Sequence, residues 1–120
     1  MRKLFSTTRA LRAIFVLTLI PATAGVAAAQ DAALIKKGES VYTAQKCSMC
    51  HAVAGKGSKA NPLDGIGAKL SAADIREWIV SPTAMTAKAK STKKPPMPAK
   101  YDKLPAADID AMVAYLASLK

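Results

Sequence analysis

Apolar residues recur every three to four positions in three separate stretches of the chain, which is the period of a helix with one buried face. The first stretch, DAALIKKGESVYTAQK, begins at Asp31, whose side chain is suited to cap a helix N-terminus. The second, SAADIREWIV, has Ser71 and Asp74 in the spacing of a capping box and is closed by Pro82. The third, LPAADIDAMVAYLASLK, has Pro105 in its first turn. Its apolar face consists of Ile109, Met112, Val113, Leu116 and Leu119. The pattern predicts an all-α fold with three main helices.

The segments between these helices have no sustained period and are predicted to be long loops. Residues 52–70 contain four glycines and a proline, and residues 81–103 contain a cluster of prolines around the sequence KKPPMPAK. No stretch shows the alternation of a half-buried strand. Gly38, in the middle of the first helix, costs about 1 kcal/mol relative to alanine. We therefore expect another backbone to approach the first helix closely at this position.

The N-terminal residues have the parts of a secretory signal peptide. Four basic side chains precede the apolar run AIFVLTLI, Pro21 ends that run, and Ala27 and Ala29 form an A-x-A cleavage site before Gln30. An uncleaved membrane anchor is the alternative, but the run is far shorter than the ~20 apolar residues of a spanning helix. We predict a signal peptide at residues 1–29, a single domain at residues 30–120, a mature form that does not span the membrane, and a periplasmic location.

Charge and size limit the classes of function. Residues 30–120 carry 14 basic and 8 acidic side chains, so the net charge falls from +10 for the whole chain to +6. A basic protein can bind nucleic acid, an anionic membrane surface or an acidic protein. Export and the low aromatic content of 5% argue against nucleic acid. A domain of about 90 residues buries a small fraction of its surface, so we expect a cofactor, metal or disulfide to add stability.

Both cysteines and the only histidine lie within five positions, in QKCSMCHAVAG. Cys47 and Cys50 alone could form a redox dithiol, a local disulfide or part of a zinc site. Zinc would need further ligands, and a dithiol of this kind is typical of a β-α-β context. The pattern C-x-x-C-H is the signature of covalent haem attachment. We predict one haem c, attached through Cys47 and Cys50, with His51 as an iron ligand.

The chain has no second histidine, so the sixth iron ligand is expected to be methionine or lysine, unless that position is open. Of the five methionines, three are poor candidates, because they lie in the signal peptide, in the attachment motif or on the apolar face of the last helix. Met85 and Met97 remain. We favour Met97, because Pro96 and Pro98 would hold it in a stiff, extended loop.

Across essentially all of residues 30–120 the chain resembles the class I cytochromes c, which are small monohaem electron carriers. The matching segments are GESVY, CSMCH, NPLDGIG, REWIVSP, KKPPMPAKYDKL and IDAMVAYLASL. The resemblance implies a small cytochrome c fold, with three main helices and long loops wrapped around one covalently bound haem. It implies that the Pro62 carbonyl accepts the Nδ1 proton of His51. It also implies that Trp78 approaches a haem propionate, although a core position is an equally good interpretation of this tryptophan. In that family the first and last helices cross at a glycine and an aromatic contact, here Gly38, Tyr42 and Tyr115.

These features predict a monomeric electron carrier, not an enzyme, that passes single electrons through a His/Met-ligated haem. Acidic or membrane-bound redox proteins are the expected donor and acceptor, and loop lysines near the haem edge could steer them. Those lysines are Lys56, Lys59, Lys88, Lys90, Lys93 and Lys94. The alternative is a haem-based sensor or binder of small ligands with a vacant or labile sixth position. A peroxidase-type enzyme would need distal acid–base groups, for which the sequence offers no second histidine.

Overall fold

The structure is a computed structural model that describes residues 24–120. Most of the predicted signal peptide therefore lies outside the described residues, and its boundary stays a prediction. The described residues form five α-helices, which are α1 (Ala24–Ala44), α2 (Ile66–Lys69), α3 (Ala72–Val80), α4 (Pro82–Lys88) and α5 (Ala106–Ser118). Two 3₁₀ turns, Cys47–Met49 and Tyr101–Lys103, and an antiparallel pair of two-residue strands, β1 (Ala52–Val53) and β2 (Lys56–Gly57), lie between them. The predicted all-α class is confirmed.

Helices α1 and α5 cross in direct backbone contact at Gly38. A Cβ at this position would overlap the carbonyl group of Ala111 and would lie 2.6 Å from the Cβ of Tyr115, so only glycine permits the observed approach. Beside the crossing point, Tyr42 and Tyr115 pack edge to face, with ring centroids 5.7 Å apart and an interplanar angle of 63°. The close approach expected at Gly38 is confirmed.

The apolar face predicted for the last helix forms the centre of the core. Ile109, Met112, Val113 and Leu116 of α5 are buried, and Leu119 packs against them. Helix α3 adds Ile75 and Ile79 to this cluster. It begins as predicted, because the Ser71 hydroxyl accepts the Asp74 N–H at 3.1 Å and caps the helix. Across the outer side of this packing, Arg76 and Asp110 form an ion pair.

Two predictions about the connecting segments were wrong. Residues 82–88 form helix α4 inside a segment predicted to be a loop, and Pro82 takes its first position, where a missing N–H costs no hydrogen bond. Strands β1 and β2 form a short hairpin where no strand was predicted. Its two turn residues, Ala54 and Gly55, have φ angles of +49° and +74°, as tight hairpin turns require.

Helix α1 also differs from its predicted start. It already includes Ala24, the first described residue, so Asp31 lies inside the helix instead of capping it. The alanine-rich sequence AGVAAAQ before Asp31 has high helix propensity, which accounts for the extension. Within residues 24–120, no helix combines the length and the apolar character needed to cross a membrane.

Replacing Gly38 by alanine sets two effects of opposite sign against each other. Helix propensity alone would stabilise the protein by about 1 kcal/mol. The added methyl group would instead push α1 away from Ala111, and overpacking of this kind costs about 1–3 kcal/mol. We expect Gly38→Ala to lower the free energy of unfolding measured by chemical denaturation. Ser40→Ala, on the exposed side of α1, is the control and should not lower it. A stabilised Gly38→Ala variant would show that the crossing is wrong.

Candidate functional site

A cavity of about 470 Å³ lies between the C-x-x-C-H segment, helices α3 and α5, and the proline-rich segment that follows α4. Its walls are mainly apolar. They include Leu63, Ile66, Leu70, Ile75, Ile79, Met112 and Leu116. Among residues 24–120, three lysines, Lys46, Lys93 and Lys100, also line the cavity, and no acidic residue does. The size and lining are those of a site for a largely apolar small molecule.

The C-x-x-C-H segment reaches this cavity because the chain turns sharply after α1. Lys46 has a left-handed φ of 56° and leads into the 3₁₀ turn Cys47–Met49. The carbonyl of Cys47 then accepts the N–H groups of Cys50 at 3.1 Å and His51 at 3.0 Å. This tight turn places Cys47, Cys50 and His51 together in the cavity wall, and the two thiols are not joined in a disulfide.

The His51 ring is held by a backbone carbonyl. Its Nδ1 lies 3.1 Å from the carbonyl oxygen of Asn61. In the tautomer that donates this hydrogen bond, Nε2 keeps its lone pair and can bind a metal. A carbonyl partner of this kind orients a histidine ligand and raises its basicity.

The acceptor is Asn61 and not Pro62, which the family resemblance implied. The Ala52 N–H donates to the Asn61 carbonyl at 3.4 Å, and the Leu63 N–H donates to the Ala52 carbonyl at 2.8 Å, which makes a parallel bridge between Ala52 and Pro62. The Pro62 carbonyl belongs to the same trans peptide group as the Leu63 N–H, so it points away from Ala52. Pro62 is also absent from the cavity lining.

Side-chain hydrogen bonds fix the backbone around His51. The Asn61 amide donates to the Cys50 carbonyl, and the Tyr42 hydroxyl donates to the His51 carbonyl, each at 3.4 Å. The Asp64 carboxylate accepts the Ala54 N–H at 2.7 Å and so fixes the turn of the hairpin. Asn61 was not predicted as a site residue. Its contact with His51 is made by the main-chain carbonyl, and the type of a side chain does not indicate where its carbonyl points. The one clue in the sequence was that Asn61 directly precedes the proline of NPLDGIG.

Of the other predicted site residues, the structure brings Met97 and Trp78 to the cavity wall, together with the cysteines and His51. Met85, the competing methionine, is buried in α4 with 8% of its surface exposed and does not line the cavity. Among the six lysines expected near the site, Lys93 lines the cavity and the other five do not. Lys46 and Lys100 line it and were not predicted.

Burial near the cavity changes the acidity of several groups. It raises the pKa of Tyr42 to about 12, and the neighbouring Cys47 adds to that increase. Burial also raises the pKa values of Tyr101 and Tyr115. The pKa of Cys47 is raised mainly by burial, while a backbone hydrogen bond and Lys100 act in the opposite direction.

The residues at this site fit a covalently bound haem. The apolar walls suit a porphyrin, the two cysteine thiols suit thioether links, and the Nε2 atom of His51 suits iron. A helical domain with this set of donors belongs to the class of c-type haem proteins.

The comparison with protein families agrees with this class. The family model for cytochrome c matches residues 35–120, and the chain belongs to the cytochrome c family. Members of this family bind haem c, for which Cys47 and Cys50 are present. Comparisons with curated proteins and with solved structures gave no significant match.

We expect the folded protein to lose stability as the pH rises above about 10. An unfolded tyrosine ionises near pH 10, whereas in the folded chain Tyr42 keeps its proton until about pH 12. In this window the unfolded state binds fewer protons than the folded state, so the free energy of unfolding decreases with pH. The ultraviolet absorbance of phenolate should appear at higher pH in the native protein than in denaturant. Coinciding titration curves would contradict the burial of the tyrosines.

Proposed function

We propose that this protein is a periplasmic c-type cytochrome that carries single electrons between redox proteins. Cys47 and Cys50 would attach one haem c, and His51 and Met97 would bind its iron. When bound, this group supplies reversible one-electron chemistry between Fe(II) and Fe(III). The observation that carries the proposal is the shared cavity wall, which includes Cys47, Cys50 and His51 of the C-x-x-C-H motif together with Met97, but not Met85.

The surrounding residues support electron transfer in preference to catalysis. With two side-chain ligands from the chain, no iron position would be left for a substrate. The apolar walls would exclude water and favour the less charged, reduced iron, as would a thioether ligand, so both would raise the reduction potential. The Asn61 carbonyl would keep the His51 ring in one orientation. Trp78, which lines the cavity from α3, would contact a haem propionate.

The charge of the cavity lining supports acidic redox proteins, soluble or membrane-bound, as donor and acceptor. In the described part of the chain, three lysines and no acidic residue line the cavity, and residues 30–120 carry a net charge of +6. An acidic partner would be attracted toward the side on which electrons leave and enter. The signal peptide predicted at residues 1–29 supports the periplasmic location. We further propose that the mature protein is a monomer.

Two methionine variants test the ligand assignment. The oxidised wild-type protein should show the weak near-infrared absorption band of a sulfur-to-iron bond. Met97→Ala should abolish this band because the only thioether bound to iron is removed. Met85→Ala should keep the band and instead lower the stability, by about 2–5 kcal/mol, because a buried methionine is truncated in α4. Loss of the band in Met85→Ala alone would assign the ligand to Met85.

The rate of carbon monoxide binding distinguishes an electron carrier from a haem-based sensor or binder of small ligands. A sensor or binder with a vacant or labile sixth position would bind carbon monoxide rapidly in the reduced state. An electron carrier with Met97 bound should react slowly, because the thioether must first leave the iron. Rapid binding by the wild-type protein would replace the present proposal with that alternative.

The lysines of the cavity lining should control the rate of electron transfer with charged reagents. Oxidation of the reduced protein by hexacyanoferrate(III), an anion, should slow as ionic strength rises, because salt screens the attraction. Lys46→Glu and Lys100→Glu should slow it at low salt and weaken its salt dependence. Lys36→Glu is the control, since Lys36 is exposed on α1 and lies away from the cavity. Equal effects of all three variants would show that the rate of electron transfer depends on the net charge of the protein and not on the lysines of the cavity lining.

A further inference from the structure

The segment that carries Met97 has few backbone groups with which to hold its position. Pro95, Pro96 and Pro98 have no N–H to donate. In the described part of the chain, residues 92–97 make no backbone–backbone hydrogen bond. The nearest ones flank the segment: Ser91 N–H donates to the Thr86 carbonyl, and Lys100 N–H to the Pro98 carbonyl. The prolines stiffen this segment but have no N–H that could hydrogen-bond to the rest of the fold, although Met97 itself packs against the core.

Lys93 supplies a hydrogen bond from this segment to another part of the fold. Its ammonium group donates to the carbonyl oxygen of Ala60 at 3.3 Å, across 33 residues of sequence. Within residues 24–120, this is the one hydrogen bond that joins residues 92–97 to a different part of the fold. The Lys93 backbone N–H adds a local contact to the Ser91 hydroxyl at 3.4 Å.

The hydrogen bond from Lys93 to Ala60 lies next to the residue that orients His51. Ala60 directly precedes Asn61, whose carbonyl holds the His51 ring. Lys93 also lines the cavity, so its side chain runs from the Met97 segment along the cavity to the segment that orients His51. One side chain thus links the segment that would supply Met97 to the segment that orients His51.

We propose that Lys93 is a positioning residue that ties the Met97 segment over the cavity through the Ala60 carbonyl. The inference rests on the proposed role of Met97 as an iron ligand. If the tie is lost, the segment leaves the cavity more often and an external ligand gains access to the iron. The apparent affinity of that ligand rises in proportion to the open population. The net contribution of one hydrogen bond corresponds to a change of roughly two- to tenfold in this population.

Imidazole binding to the oxidised, haem-loaded protein measures this population. Lys93→Met keeps a side chain of similar length but removes the donor, and we expect it to bind imidazole roughly two- to tenfold more tightly than the wild type. Lys94→Met removes the same charge from the next position, where the structure has no comparable hydrogen bond, and should leave the affinity unchanged. Lys93→Arg keeps a donor and should remain close to the wild type. Equal affinities in Lys93→Met and Lys94→Met would overturn the proposal.

A second measurement does not depend on the ligand assignment. Nitrogen relaxation by NMR on the reduced, haem-loaded protein should show greater backbone motion at Met97 in Lys93→Met than in Lys94→Met. If the wild type lacks the near-infrared sulfur band, the role of Met97 fails, while the relaxation data still test the tie. If the band is present and Met97 moves equally in both variants, the tie to Ala60 is wrong and the proposed function stands.

Discussion

The contact between Gly38 and the Ala111 carbonyl sets the dimensions of the cavity. Helix α1 continues from this contact into the C-x-x-C-H segment, and α5 continues from it into the opposite wall at Met112 and Leu116. The separation of the two walls therefore depends on how closely the helices approach at one point. A side chain at Gly38 would move the cysteines and His51 away from the apolar surface they face. Tyr42 connects the helix crossing to the C-x-x-C-H segment. Its ring packs against Tyr115 at the crossing, and its hydroxyl donates to the His51 carbonyl.

The two segments that would supply iron ligands are held by different means. His51 is held mostly by main-chain groups, through the Asn61 carbonyl and the bridge between Ala52 and Pro62. Met97 lies among prolines and packs against the core, and Lys93 gives its segment one hydrogen bond to another part of the fold. Backbone networks of several bonds are harder to open than one exposed hydrogen bond, so motion at this site should begin in the Met97 segment. On the proposal made above, the protein would combine a firmly held histidine with a methionine whose position depends in part on Lys93.

The sequence predicted correctly those structural features that depend on the type and spacing of neighbouring side chains. The cap at Ser71, the buried face of α5 and the backbone contact at Gly38 followed from side-chain type and spacing. Helix α4 was missed because Pro82, which ends one helix, can equally begin the next. The hairpin was missed because strands of two residues are too short to show alternation. The Asn61 contact was missed because the direction of a carbonyl is set by the bridge to Ala52, a tertiary contact that residue type does not encode.

Trp78 is the single tryptophan of the chain, and it lines the cavity. Its fluorescence overlaps the absorption of a porphyrin, so a haem in the cavity would quench it by energy transfer, and unfolding would restore it as the distance grows. The molecule therefore contains an intrinsic optical reporter of the state of its own cavity. That reporter needs no label and leaves the lysines and the methionine segment unmodified.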